Sequence, residues 1–304
     1  MPTRRYVILD VFTEEALTGN PLAVVLDGED LTDAAMQAIA REFNLSETTF
    51  VQPPEKPGHT AKLRIFTPAR ELPFAGHPTV GSAIACALDR NAGTQEHFEA
   101  LIALEEAIGS VRCGVTVRGS SGFAEFDLPK LPEQVKLDLD KVLIAEALGL
   151  NTREIGFENH LVTAWSAGVP YVFVPVHDVQ TLGRITIRHS LFAEAFPLEG
   201  HAAAFVYARA ENGERHAFRA RMFAPEMGIT EDPATGSAAA AFAGVVMAFD
   251  QPRNGEEAIV LHQGVEMGRP SQIHLTLAIE DGRLTGARIG GHAVRIAEGR
   301  LMTL

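Results

Sequence analysis

Cysteine is almost absent from this 304-residue chain: there are two, Cys86 and Cys113, and neither stands in a spaced pair. Two isolated cysteines build neither a disulfide framework nor a zinc site, which points to a reducing, cytoplasmic setting. Basic residues are also few, 26 lysines and arginines against 39 aspartates and glutamates, for a net charge of −13. A nucleic-acid or anionic-membrane surface needs clustered positive charge, so neither partner is expected, whereas a local small-anion site remains open. The longest uncharged run, Pro233 to Phe249, falls short of the roughly 20 residues that cross a bilayer. At the N-terminus the apolar run after two arginines meets Asp10 too soon for a secretory signal. The eleven histidines are scattered without an HExxH pattern, and no metal is expected.

What the chain does have is apolar content and an internal repeat. With 46% hydrophobic residues it can bury large cores, and its length favours two domains. RIFTP at 64–68 answers RMFAP at 221–225, 157 residues on, and HPTVGSA at 77–83 answers DPATGSA at 232–238, 155 on. Upstream, NPLAVVL at 20–26 answers VPYVFVP at 169–175, with Pro21 and Pro170 149 apart. Between them lie a helix candidate in each half, 31–43 and 187–196, and a short strand, TTFVQ or AFVYA. Five ordered elements at a slowly drifting offset indicate duplication. The halves are placed at 1–120, completed by the last strand at about 290–304, and at 121–289, with DLPKLPEQVK (127–136) near the junction.

Both halves are rich in strand-like runs such as YVILDVF and QIHLTLAI. Each also contains one helix with hardly any polar face, PTVGSAIACALD and PATGSAAAAFAGVVMAF, and a helix apolar on all sides is surrounded. The predicted fold is α+β: two pseudo-symmetric domains, each a curved sheet or barrel wrapped around a central apolar helix. The two helix starts, at Gly76–His77 and Asp232–Gly236, are expected to face one cleft between the domains. Their free amides suit a small carboxylate or phosphate, with the hydroxyls of Thr79, Ser82, Thr235 and Ser237 close by. Ligand is expected to favour closure of the domains over it.

Individual side chains carry two readings each. Glu231 and Asp232 precede Pro233 as an acidic helix cap would, with Pro233 in the first turn, and the same carboxylates suit a site. Glu47, opening ETTFV, matches Ala202 of the second half, so it is a carboxyl without a repeat counterpart and a candidate general acid and base. His77 reads as a structural histidine or as part of that site. Both cysteines read as core.

TGNPLAVV (18–25), NLSETTFV (44–51), RIFTPARELPFAGHPTVGSA (64–83), GITEDPATGSAAAA (228–241) and QGVEMGRPSQI (263–273) together resemble the PhzF-like, or phenazine-biosynthesis, family. The resemblance implies the diaminopimelate-epimerase-like fold and cofactor-free isomerisation by proton transfer, in the phenazine pathway on a dihydro-hydroxyanthranilate. It implies Glu47 as the acid and base, His77 and Asp232 as its catalytic companions, and Asn20, Gly76, Gly236 and Ser237 as substrate contacts. Diaminopimelate epimerases and proline racemases carry a cysteine at each of the two helix starts; LPFAGHPTVG and EDPATG have none, which disfavours two-thiol chemistry. A small carboxylate substrate and a homodimer are the expected partners. A non-catalytic acid-binding protein and a hydrolase or lyase are the alternatives that share these residues.

Overall fold

The computed structural model describes residues 3–92, 96–210 and 216–302. The chain divides into two units, Met1–Asp127 with Gly290–Leu304, and Leu128–Ile289. The first unit runs β1 (Thr3–Val11), β2 (Asn20–Val25), α1 (Asp33–Phe43), β3 (Glu47–Gln52), β4 (Ala61–Phe66), β5 (Glu71–Leu72), α2 (Gly76–Arg90), β6 (Phe98–Glu106), β7 (Gly109–Arg118) and β8 (Ser121–Asp127). The second runs β9 (Glu133–Val135), α3 (Lys141–Ala147), β10 (Thr163–Ser166), β11 (Pro170–Pro175), α4 (Val179–Gly183), α5 (His189–Ala195), β12 (Ala204–Arg209), β13 (Ala217–Ala224), β14 (Ile229–Asp232), α6 (Gly236–Phe249), β15 (Gly255–Gln263) and β16 (Ser271–Glu280). The last strand, β17 (Arg283–Met302), passes from the second unit into the first at Gly290. A boundary at 120/121 would place β8 in the second half; its antiparallel pairing with β7 holds it in the first.

Among the described residues each unit contains two parallel strand pairs, and each parallel step needs a crossover. In the first unit β2 pairs parallel with β3 across α1, and β4 pairs parallel with β6 across α2. In the second, β11 pairs parallel with β12 across α4 and α5, and β13 with β15 across α6. α1 is amphipathic: Thr32 caps it, Asn44 ends it in the left-handed conformation, and Met36, Ile39 and Ala40 pack with Val25, Phe50 and Phe66. α2 is buried on every face from Gly76 to Leu88, against β1, β2, β3, β6, β7 and β8. Gly81 permits that approach, since a Cβ there would lie 2.5 Å from Leu22 Cδ2 and 2.8 Å from Val11 Cγ2. α6 is likewise enclosed, and a Cβ on Gly244 would lie 2.6 Å from Cδ2 of Trp165 on β10. Among the described residues no helix is long and apolar enough to cross a membrane.

The ladders correct the alignment of the halves by one residue. Phe50 stands opposite both Val25 and Arg64, and Val206 opposite both Val174 and Arg221. Val25 and Val174 each lie four residues past the repeated prolines, and Arg64 and Arg221 open the repeated RIFTP and RMFAP, so Phe50 matches Val206. Glu47 therefore matches Ala203, not Ala202. A one-residue shift exchanges the two faces of a strand. Accordingly Phe50 packs with α1, whereas Phe205 lies against Phe242 of α6 with ring centroids 5.8 Å apart. The counterpart of Glu47 is an alanine in either register.

Candidate active site

In the first unit the alternation of β3 decides which side chains meet α2. Residues two apart share a strand face, and Thr49 Oγ1 lies 2.9 Å from Ser82 Oγ on α2, so the face carrying Glu47 looks the same way. Glu47 Oε2 is 3.4 Å from Nε2 of His77, the second residue of α2. The other ring nitrogen, Nδ1, is 3.4 Å from the Nδ2 amide of Asn20, the first residue of β2. An amide nitrogen only donates, so in this contact Nδ1 accepts, which leaves the ring proton to Nε2, the nitrogen nearer Glu47. His77 is buried, and desolvation of its charged form pushes its pKa down to about 3. The imidazole is therefore neutral at pH 7 despite the neighbouring carboxylate. Asn20, Glu47 and His77 are thus brought together at the start of α2, whose N-cap, Ala75, has no side chain that could cover the Gly76 and His77 amides.

The hydroxyls nearby have internal partners. Ser82 is tied to Thr49, and Thr79 bonds Ala75 O and Glu106 Oε1, both at 2.8 Å. The expectation that Thr79 and Ser82 face an anion is corrected: buried hydroxyls are satisfied within the fold.

In the second unit ITEDPATGS splits its duties. α6 begins at Gly236 with Thr235 as N-cap, so Pro233 stands ahead of the helix and not in its first turn. Glu231 holds Arg221 through two 2.8 Å contacts, while Arg221 Nη1 donates to the Leu182 and Ile185 carbonyls at 3.1 and 3.2 Å. Glu231 is the counter-ion of a buried guanidinium. Asp232 ends β14, and its Oδ2 accepts from the Thr235 hydroxyl at 2.5 Å. Gln263, at the end of β15, braces this turn: Nε2 donates to Asp232 O at 2.7 Å and Oε1 accepts from Thr235 N at 3.1 Å. Ser237, half-buried, contacts the Tyr171 hydroxyl at 2.8 Å. Thr235, like Thr79, turns inward.

Sequence reading missed Glu106, Gln263, Arg221 and Tyr171. Extending the repeat would have found the first two, since IALEE at 102–106 and IVLHQ at 259–263 stand 157 apart. Among the described residues Glu158, His160 and Asp250 cluster as metal ligands do. Arg209 already supplies a cation there, bonding Glu158 at 3.0 Å, His160 Nε2 at 3.3 Å and Asp250. Cys86 on α2 and Cys113 on β7 are both buried, and burial pushes the Cys86 thiol up to about 12.

The family model for phenazine biosynthesis-like proteins matches residues 9–299. An uncharacterised isomerase of Mesorhizobium japonicum is 54% identical over 304 residues, covering 99% of each chain. Trans-2,3-dihydro-3-hydroxyanthranilate isomerase of Pseudomonas aeruginosa is 36% identical over 296 residues, covering 97% of this chain and 98% of its own. The crystal structure of a PhzF-family phenazine biosynthesis protein from Bacillus anthracis covers all of both chains with a TM-score of 0.87 at 24% identity, a likeness of fold.

Proposed function

The chain belongs to the phenazine biosynthesis-like (PhzF) family and is an isomerase, and from that premise we propose that it moves a proton within a small carboxylate-bearing substrate, with Glu47 as both acid and base. The observation that carries this reading is the contact of Glu47 with a neutral His77 at the uncapped start of α2. As a carboxylate, Glu47 takes a proton from a carbon whose electron pair passes into a conjugated system. As the acid, it returns that proton to a different carbon, so substrate and product have the same atoms and no co-reactant is consumed. A proton on His77 Nε2, 3.4 Å from Glu47 Oε2, is proposed to steady the ionised form of that carboxylate. Amides at a helix start, with the helix dipole, favour an anion, and Gly76 and His77 supply them for the substrate carboxylate. Asp232, Gly236 and Ser237, in the second unit, are proposed as further site residues; α6 also starts without a side-chain cap.

The test incubates the protein in heavy water with a panel of small unsaturated carboxylic acids, the dihydro-hydroxyanthranilate named for the Pseudomonas relative included. Proton NMR should show an isomer of unchanged composition, with the transferred position labelled to the extent that Glu47 exchanges with solvent. Binding without conversion would point to an acid-binding protein, and a product of altered composition to a hydrolase or lyase; either would overturn the proposal.

A further inference from the structure

The ends of β6 and β15 are repeat counterparts by pairing as well as by sequence. Lys62 of β4 stands opposite Glu105, and Arg219 of β13 stands opposite His262. Lys62 and Arg219 keep the 157-residue spacing of RIFTP and RMFAP, so Glu105 corresponds to His262 and Glu106 to Gln263.

Gln263 is fully buried and gives protons to the turn before α6. Its Nε2 donates to Thr235 Oγ1 at 3.0 Å as well as to Asp232 O, and the Thr235 hydroxyl passes its own proton to Asp232 Oδ2. Glu106 occupies the corresponding place under α2 and is 7% exposed. Its Oε1 lies 2.8 Å from Thr79 Oγ1, and the same hydroxyl lies 2.8 Å from Ala75 O. A hydroxyl carries one proton. Both partners are acceptors in their unprotonated forms, and one proton serves only one of them; with the Thr79 proton on the Ala75 carbonyl, which has none to give, the contact with Glu106 takes its proton from the glutamate. Among the described residues Glu106 forms no ion pair, and its Oε2 has no hydrogen-bond partner. An ionised carboxylate there would be a buried charge without compensation.

We propose that Glu106 is held as a neutral carboxylic acid that donates its proton to the Thr79 hydroxyl, as the Gln263 amide does to Thr235, and that this proton positions the first turn of α2, on which His77 stands. Burial, which disfavours the charged form, pushes the Glu106 carboxyl up to about 8 even when Thr79 is taken as the donor in their contact. The titratable groups that face it are Cys113 from β7 and, beyond it, Cys86 from α2; both thiols are pushed up by burial and stay neutral through pH 8. His77 lies two residues before Thr79 and is already neutral there. Above pH about 8 an ionised Glu106 has no proton for Thr79, and the turn loses its brace. Glu106 is thus a positioning residue that acts through Thr79. Its part in catalysis rests on the proposed proton transfer, while its protonation and its hold on α2 do not.

Two measurements without substrate decide this. Infrared difference spectra of wild type against Glu106→Gln should show the carbonyl stretch of a protonated carboxylic acid at pH 6.5, present only in wild type and lost as the pH passes about 8. Thr79→Val, which removes the acceptor, should shift that band and assigns it independently of the Gln variant. No such band at pH 6.5 would mean an ionised Glu106 and would overturn the proposal. The ¹⁵N resonances of the His77 ring should move with an apparent pKa near 8 in wild type and hold still in Glu106→Gln. Identical titration in both proteins would sink the positioning role even with the band present. If no acid is isomerised, the proposed function fails while these two results stand on their own.

Discussion

His77 Nε2 stands 3.4 Å from Glu47 Oε2, yet burial of the ring disfavours its charged form and leaves the imidazole uncharged at pH 7. An ion pair in that place would hold Glu47 as a permanent counter-ion; a neutral partner leaves it able to gain and lose a proton.

Glu47→Gln keeps the shape of the side chain and removes its basicity. Turnover should drop by roughly 10²–10⁴, the usual contribution of a positioned acid or base, with ligand affinity and fold retained. Steady-state kinetics beside calorimetric binding measures both, and turnover within threefold of wild type would reject Glu47 as the proton carrier.

The depressed pKa of His77 sets a stability window. Between pH 6.5 and 3 the unfolded chain binds a proton at this residue that the folded chain refuses, so the unfolded state holds more protons. Stability therefore rises with pH through this range and is lost as the pH falls, by at most about 1.4 kcal/mol per pH unit from this group. Urea unfolding of wild type and His77→Asn between pH 4.5 and 6.5 should show the gap between them changing with pH. A constant gap would mean that the ring titrates normally in the fold.

Removing Glu231 strands Arg221, which is 8% exposed. Glu231→Ala should cost about 3–5 kcal/mol, the range for breaking one side of a buried pair. Thermal unfolding measures it, and a loss below 1 kcal/mol, on the order of a surface pair, would show that Leu182 and Ile185 carbonyls alone satisfy the guanidinium.

Gly81→Ala forces a methyl group into Leu22 and Val11, and overpacking of this kind typically costs about 1–3 kcal/mol. Gly114→Ala on β7 meets nothing within 4 Å and serves as the control. Equal unfolding midpoints for the two variants would show that α2 has slack that its burial does not reveal.

Much of the fold was legible because duplication writes the same pattern twice. The paired RIFTP and RMFAP, the proline-led strands and the two helices without a polar face marked two similar halves, and burial on every side of α2 and α6 follows from that composition. The strand register was not legible. Phe50 and Phe205 look like one position in the sequence, yet they face opposite helices, since a pleated strand exchanges faces with every residue.

Of the residues that the sequence offered for a site, the structure brings Asn20, Glu47 and His77 together at the start of α2. Glu47 stood out because its repeat counterpart is an alanine, and the family resemblance added His77 and Asn20. In ITEDPATGS the two carboxylates are chemically alike in sequence, and only Arg221, ten residues upstream and across the β13–β14 turn, separates Glu231 from Asp232.

The sequence alone determined the halves, the enclosed helices and the residue types from which an acid–base site can be made, because apolar periodicity and repetition are local properties of a chain. The tertiary structure decided which polar groups are left for chemistry. Thr79, Ser82, Thr235 and Glu231 are taken up by Glu106, Thr49, Gln263 and Arg221, all at least ten residues distant. A buried polar group must find its partner wherever the fold places one. Protonation follows the same rule: desolvation and the partners at hand, neither visible along the chain, leave the His77 ring without a charge.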